Sequence, residues 1–171
     1  MANNMASLLG WLGMLLGLAG TQVSSKAAMF LFDIGCSVAN ALHFYLLEAP
    51  GGVMGQLLFL TMSALGLLAT LEPRTKAMFW LVYPLIVLAS WQSVAQKGLL
   101  EILPQCVVLL SAIGKQLDSM LHCRILILLS NIPCVWYGLA IGSRAYVIST
   151  LVFTACSVLA VRTEVNRKTA K

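Results

Sequence analysis

The chain has 171 residues, of which 60% are hydrophobic and only 10% charged. A soluble domain carries about 25% charge, so this composition and a mean hydropathy of +0.90 exclude a water-soluble fold. The net charge of +5 comes from 11 Lys and Arg against 6 Asp and Glu, but the bases stand singly between apolar runs, which argues for membrane orientation and against nucleic-acid binding.

The first apolar run predicts a helix over 5–21. It has no basic stretch ahead of it, so it reads as a span and not as a secretory signal. Gly10, Gly13, Gly17 and Gly20 recur along it as a ridge that lets another backbone approach closely. A second helix is predicted over 27–47, closed by a turn at 48–52 where Pro50 and paired glycines stop it. A third follows over 53–71, and 72–76 is polar. The fourth, 77–95, contains Pro84 as a bend, with Trp80 and Trp91 near its ends as interface anchors. After the break 96–98, a fifth helix over 99–114 carries Pro104 and Gln105 inside it. The polar stretch 115–119 leads to a sixth over 121–141, interrupted by Pro133. A tight turn, 142–144, precedes a seventh over 145–161 and a tail, 162–171.

Seven spans make one transmembrane domain. With the N-terminus outside, the cytoplasmic segments hold Lys26, Arg74, Lys76, Lys115, Arg124, Arg162, Arg167, Lys168 and Lys171, whereas the outer side keeps only Lys97 and Arg144. That bias sets an N-out, C-in orientation.

The second helix holds the most informative residues. At about 100° per residue, Asp33, Cys36, Ser37, Asn40 and His43 share an arc of roughly 120°. Such a stripe is costly in hydrocarbon and is expected to face a protein interior or a watery cavity. Comparing the chain with itself at an offset of 91 matches Asn40 with Asn131, Gly51 with Gly142, Leu60 with Leu151 and Ala64 with Ala155. The first and fifth helices align with three further residues of shift, Gly20-Thr-Gln22 on Gly114-Lys-Gln116. The halves then read as parallel triple-helix repeats, 5–71 and 99–161, joined by an inversion helix at 77–95. Repeats of this kind place their site at the interface.

Asn40 and Asn131 are therefore candidates to hold a polar solute, since an amide both donates and accepts; the bland alternative is glue between helices. Asp33 aligns with Arg124, and the two are expected to gate or couple from the cytoplasmic side. His43 and Gln105 are further candidates for the solute, and Pro104 and Pro133 for hinges that free backbone carbonyls. His43 with Cys36 supplies too few ligands for a metal. The five cysteines contain no C-x-x-C pair and read as free thiols. No catalytic motif or paired acids occur, so neither an enzyme nor a cofactor is expected.

The 3+1+3 plan with Pro104-Gln105 resembles the SWEET/PQ-loop superfamily. More closely, Asn-Ala-Leu-His-Phe-Tyr-Leu-Leu at 40–47 and the Leu-Pro…Ser run at 103–111 resemble the YgjV-type bacterial inner-membrane proteins. The resemblance implies two triple-helix bundles around a central path in a bacterial inner membrane. It departs at Gly10-Trp11, which stands where the first half would carry its own Pro-Gln pair. The expectation is a carrier of a small polar solute working by alternating access. The alternative is a non-transporting receptor, chaperone or complex subunit on the same fold. Membrane lipid and the solute are the expected partners, and a homo-oligomer stays open.

Overall fold

The computed structural model describes residues 2–23, 25–117 and 120–169. Asp118 and Ser119 of the polar stretch, Lys171, and the side chains of Lys76, Lys97, Arg167 and Lys168 lie outside the described set. The described residues form seven α-helices. These are α1 (Ala2–Gln22), α2 (Lys26–Leu46), α3 (Pro50–Leu71), α4 (Val82–Lys97), α5 (Leu103–Gln116), α6 (Met120–Ala140) and α7 (Arg144–Thr169). Six helical stretches are long and apolar enough to cross a membrane, from Asn4–Thr21 to Leu121–Ala140. The apolar part of α7, Arg144–Leu159, is shorter, reaching only about 24 Å at 1.5 Å per residue. The helix itself continues through the stretch read as a tail, to Thr169.

Proline explains the largest departures from the sequence reading. Pro50 does not end α2 but opens α3, because its missing N–H is unpaired at a first helical position anyway. Glu48, at φ 53°, makes the turn instead. In a continuous α-helix Pro84 and Pro104 would each clash with the carbonyl four residues back, and a 3-10 segment stands ahead of each, Pro73–Leu81 and Leu99–Ile102. The α-helices begin only at Val82 and Leu103. Pro104 thus stands in the first turn of α5 and opens no gap in mid-helix, whereas Pro133 does lie inside α6.

The helices close into a ring. α1 packs on α2, α2 on α3, α3 on α5, α5 on α6, α6 on α7, and α7 returns to α1. α4 lies outside, against α3 and α5. The larger buried cluster joins these three, with Leu58 and Met62 of α3, Val82, Ile86 and Ala89 of α4, and Val108 and Ala112 of α5. A second cluster, of Phe44, Ala49 and Tyr137, seals the end that carries the α2–α3 and α6–α7 turns. Large apolar side chains cover the outside, with Trp91 80% exposed and Leu99 78%, a surface suited to hydrocarbon and not to water.

Close approach depends on glycine at several places, Gly13 and Gly66 among them. A Cβ on Gly13 would meet Asn40 Oδ1, so α1 lies directly on the polar stripe of α2. A Cβ on Gly66 would press into the Phe30 ring, which sets the spacing of α2 and α3. Gly66→Ala is expected to destabilise the protein by ~1–3 kcal/mol through overpacking, read as a lower melting temperature in detergent. Gly35→Ala, which meets only the end of Leu16 at 3.3 Å, is the control; equal melting of both variants would contradict the packing.

Candidate functional site

A cavity of about 230 Å3 occupies the middle of the ring. Every ring helix contributes to its wall, and no described residue of α4 does. It runs from the level of Asn40 and Asn131 to Val23 in the α1–α2 connection. The end with the α1–α2 and α5–α6 turns is therefore the one the cavity reaches. The other end is stoppered by aromatic rings. Phe44 packs edge-on against Tyr137 and Tyr146, with centroids 5.8 and 4.8 Å away.

The two asparagines predicted from the repeat line this one cavity from α2 and α6. Asn40 Nδ2 donates to Cys36 Sγ at 3.4 Å, a weak bond that leaves most of its capacity unused. Asn131 is 7% exposed, and its Nδ2 has no hydrogen-bond partner. A buried amide left unsatisfied costs free energy, so this donor is suited to an acceptor arriving from outside the chain. Hydroxyls complete the wall, and several have committed their protons to their own helices. Ser130 donates to Ile127 O at 2.7 Å, Ser149 to Ala145 O at 2.6 Å and Thr150 to Tyr146 O at 2.8 Å. Their oxygens remain available as acceptors.

Charge gathers at the open end. Asp33 and Arg124 both line the cavity. The ion pair of Asp33, however, is with Lys115, at 2.6 Å. Lys115 comes from the end of α5 and is only 3% exposed. Its ammonium also lies 4.3 Å from the centroid of Phe59 and 5.3 Å from that of Phe30, a cation–π seat in addition to the ion pair. Lys115 reaches Asp33 from the last turn of α5.

The remaining candidates lie elsewhere. Gln105 is buried and donates through Nε2 to Ser93 Oγ of α4 at 2.9 Å, so it faces the outside helix and not the cavity wall. His43 bridges helices. Its Nδ1 lies 2.7 Å from Ala6 O of α1 and its Nε2 2.9 Å from Ser143 Oγ ahead of α7. A carbonyl only accepts, so Nδ1 carries the proton, and in the neutral ring Nε2 accepts from the serine. The α2 stripe thus divides, with Asp33, Cys36 and Asn40 on the cavity and His43 on a seam between α1 and α7. Tyr45 and Trp136 point to the outside, 70% and 66% exposed. Among the described residues no group of three or more His, Cys, Asp or Glu gathers for a metal.

Glu101, away from the cavity wall, is a buried acid that the sequence reading passed over. It is 5% exposed. Its Oε2 accepts from the Gly51 N–H at 2.6 Å and from the Tyr137 O–H at 3.0 Å, while Tyr137 Oη accepts from the Gly52 N–H at 2.8 Å. The first-turn N–H groups of a helix have no partner of their own, and those of Gly51 and Gly52 in α3 are met from the 3-10 segment Leu99–Ile102 and from α6. An acid inside an apolar run was the available signal.

The sequence matches the family model Imp-YgjV, described as a bacterial inner membrane protein, over residues 4–167. No curated protein and no solved structure matches it. The ion pair gives a direct test of the site. Removing one partner of a buried pair costs ~3–5 kcal/mol, while removing both costs far less. Asp33→Asn and Lys115→Met should each lower the melting temperature in detergent more than the double variant does. A double variant as unstable as the sum of the singles would sink the pairing.

Proposed function

The chain belongs to the Imp-YgjV family of bacterial inner membrane proteins, and from that premise we propose that this multi-pass protein is a carrier for a small polar solute. The observation that carries the reading is the meeting of Asn40 and Asn131 in one central cavity. The solute is held by these amides and by the hydroxyl oxygens beside them. Two arcs, α1–α2–α3 and α5–α6–α7, move against each other to present the cavity to one side and then the other.

The ring supports a parallel repeat of the SWEET and PQ-loop kind. An axis relating α1 to α5, α2 to α6 and α3 to α7 carries the α3–α5 contact onto the α7–α1 contact, and both occur. At the offset of 91, Asn40 and Asn131, and Asp33 and Arg124, are paired and share the cavity. At 94, so are Gly13 and Val107, Gly17 and Ser111, and Thr21 and Lys115. Chance similarity between apolar runs gives no reason for aligned positions to face one space. α4 is then the inversion helix between repeats.

Alternating access needs one end shut and one open. The aromatic stopper and the bonds of His43 support closure at the α2–α3 end. The opposite end carries Lys115 and Arg124, which the charge bias assigns to the cytoplasm. This is an inward-facing arrangement. Asp33 and Lys115 stand at its mouth as a gate pair.

Two measurements test the reading. In a background without native cysteines, Asn40→Cys and Asn131→Cys should react with a water-soluble maleimide at least about tenfold faster than Leu42→Cys, which faces the outside (a tenfold ratio is ~1.4 kcal/mol). Equal rates would mean a dry interior and favour the non-transporting receptor, chaperone or complex subunit. Separately, topology reporters at the Gly98 and Gly142 turns should lie outside and one after residue 171 inside; the reverse result would overturn the orientation.

A further inference from the structure

The two seams between the arcs are built to the same plan and held very differently. At the α3–α5 seam, α4 lies across the joint and the larger buried cluster fixes all three helices together. Gln105 ties α5 to α4 through Ser93, Tyr83 of α4 donates to Gln116 Oε1 of α5 at 3.1 Å, and Glu101 grips the first turn of α3. The backbones are also close, since a Cβ on Gly55 would lie 2.7 Å from Pro104 Cβ. At the α7–α1 seam, by contrast, no residue of α1 belongs to either buried cluster. Glycine positions face small or flat partners, Gly10 against Ala145 and Gly17 against Phe153. The polar bridge across it is His43, which holds Ala6 O of α1 and Ser143 of α7 with one ring.

We propose that the arcs hinge on the α3–α4–α5 side and part only at the α7–α1 seam, with His43 as its latch. This rests on the carrier reading and deepens it. Dispersion contacts are individually small and collectively large, so a seam with a packed third helix resists opening far more than one held by glycine contacts and two hydrogen bonds. The path at the α2–α3 end therefore opens beside α1, along its glycine face, and not through the middle of a symmetric gap. His43 acts as a positioning residue. Released from Ala6 and Ser143, it lets α1 and α2 swing away from α7 together, because Gly13 keeps α1 seated on Asn40 of α2.

The test follows access to the cavity from the α2–α3 side. The protein carries Asn131→Cys in a background without native cysteines, and an impermeant maleimide is added on that side of the membrane. His43→Ala should raise the labelling rate about tenfold, the effect of losing two hydrogen bonds of ordinary net strength. His43→Gln, which can again donate to Ala6 and accept from Ser143, should restore the original rate, a rescue that a loss of stability alone would not give. Glu101→Gln should leave the rate near its original value. A disulfide between Gly10→Cys and Ala145→Cys, whose Cβ positions lie 3.3 Å apart, is formed before the Asn131→Cys thiol is exposed to reagent. It should abolish labelling from that side, and breaking it should restore the rate.

The proposal is overturned if the disulfide leaves labelling unchanged, or if Glu101→Gln opens the cavity as much as His43→Ala. If His43→Ala does not yield a monodisperse protein, the disulfide in the His43 background decides. The two layers fail differently. Labelling of position 131 from the α1–α2 side, with no effect of His43 or the disulfide, removes the latch alone. No labelling from either side removes the carrier reading first, and the latch with it.

Discussion

Hydrocarbon offers no hydrogen-bond partner, and that constraint organises the molecule. α2 carries an acid, two thiol or hydroxyl groups, an amide and an imidazole on one face. None of these is stable against lipid. Covering them requires other helices on that side, and α1 does so with glycines that bring its backbone onto the stripe. The ring closes because α6 and α7 carry a similar polar face that must also turn inward. The cavity is then the space between polar faces that cannot face outward, and its wall chemistry follows from the helices that enclose it.

Six of the seven expected spans and the placing of the two asparagines were legible in the sequence because both depend on one-dimensional signals. Runs of about 20 apolar residues have few alternatives to a spanning helix. An amide in mid-run at a repeated offset predicts a pair, and Asn40 and Asn131 do share the cavity. Charge pairing was not legible in the same way. Asp33 aligns with Arg124, but alignment relates symmetric positions and says nothing about which side chain can reach which. Lys115 reaches Asp33 from the last turn of α5, with its ammonium seated over the Phe30 and Phe59 rings. Glu101 was missed for a related reason. Its role is to satisfy N–H groups of α3, fifty residues earlier, and no local pattern announces a long-range cap.

Proline shows the limit of local rules differently. Pro50, Pro84 and Pro104 were all read as interruptions, whereas each lies in the first turn of a helix. Pro50 and Pro104 sit at helix starts, where an absent N–H costs nothing, and 3-10 segments stand ahead of α4 and α5. Only Pro133 interrupts a helix internally. The sequence distinguishes these cases poorly, because the distance from proline to the helix start decides the outcome, and that distance is set by the packing of α4 and α5.

The place of α4 has a consequence of parity. In the proposed arrangement of two arcs, three crossings would leave each arc with its ends on opposite sides of the membrane. Two such arcs can share one direction in a single chain only if one additional crossing returns the polypeptide, and that crossing must join the end of the first arc to the start of the second. It is therefore tethered beside one joint and cannot reach the other. In that arrangement the ring is lopsided through connectivity alone, before any side chain is chosen, and the hinge and latch proposed for its two seams would follow from it.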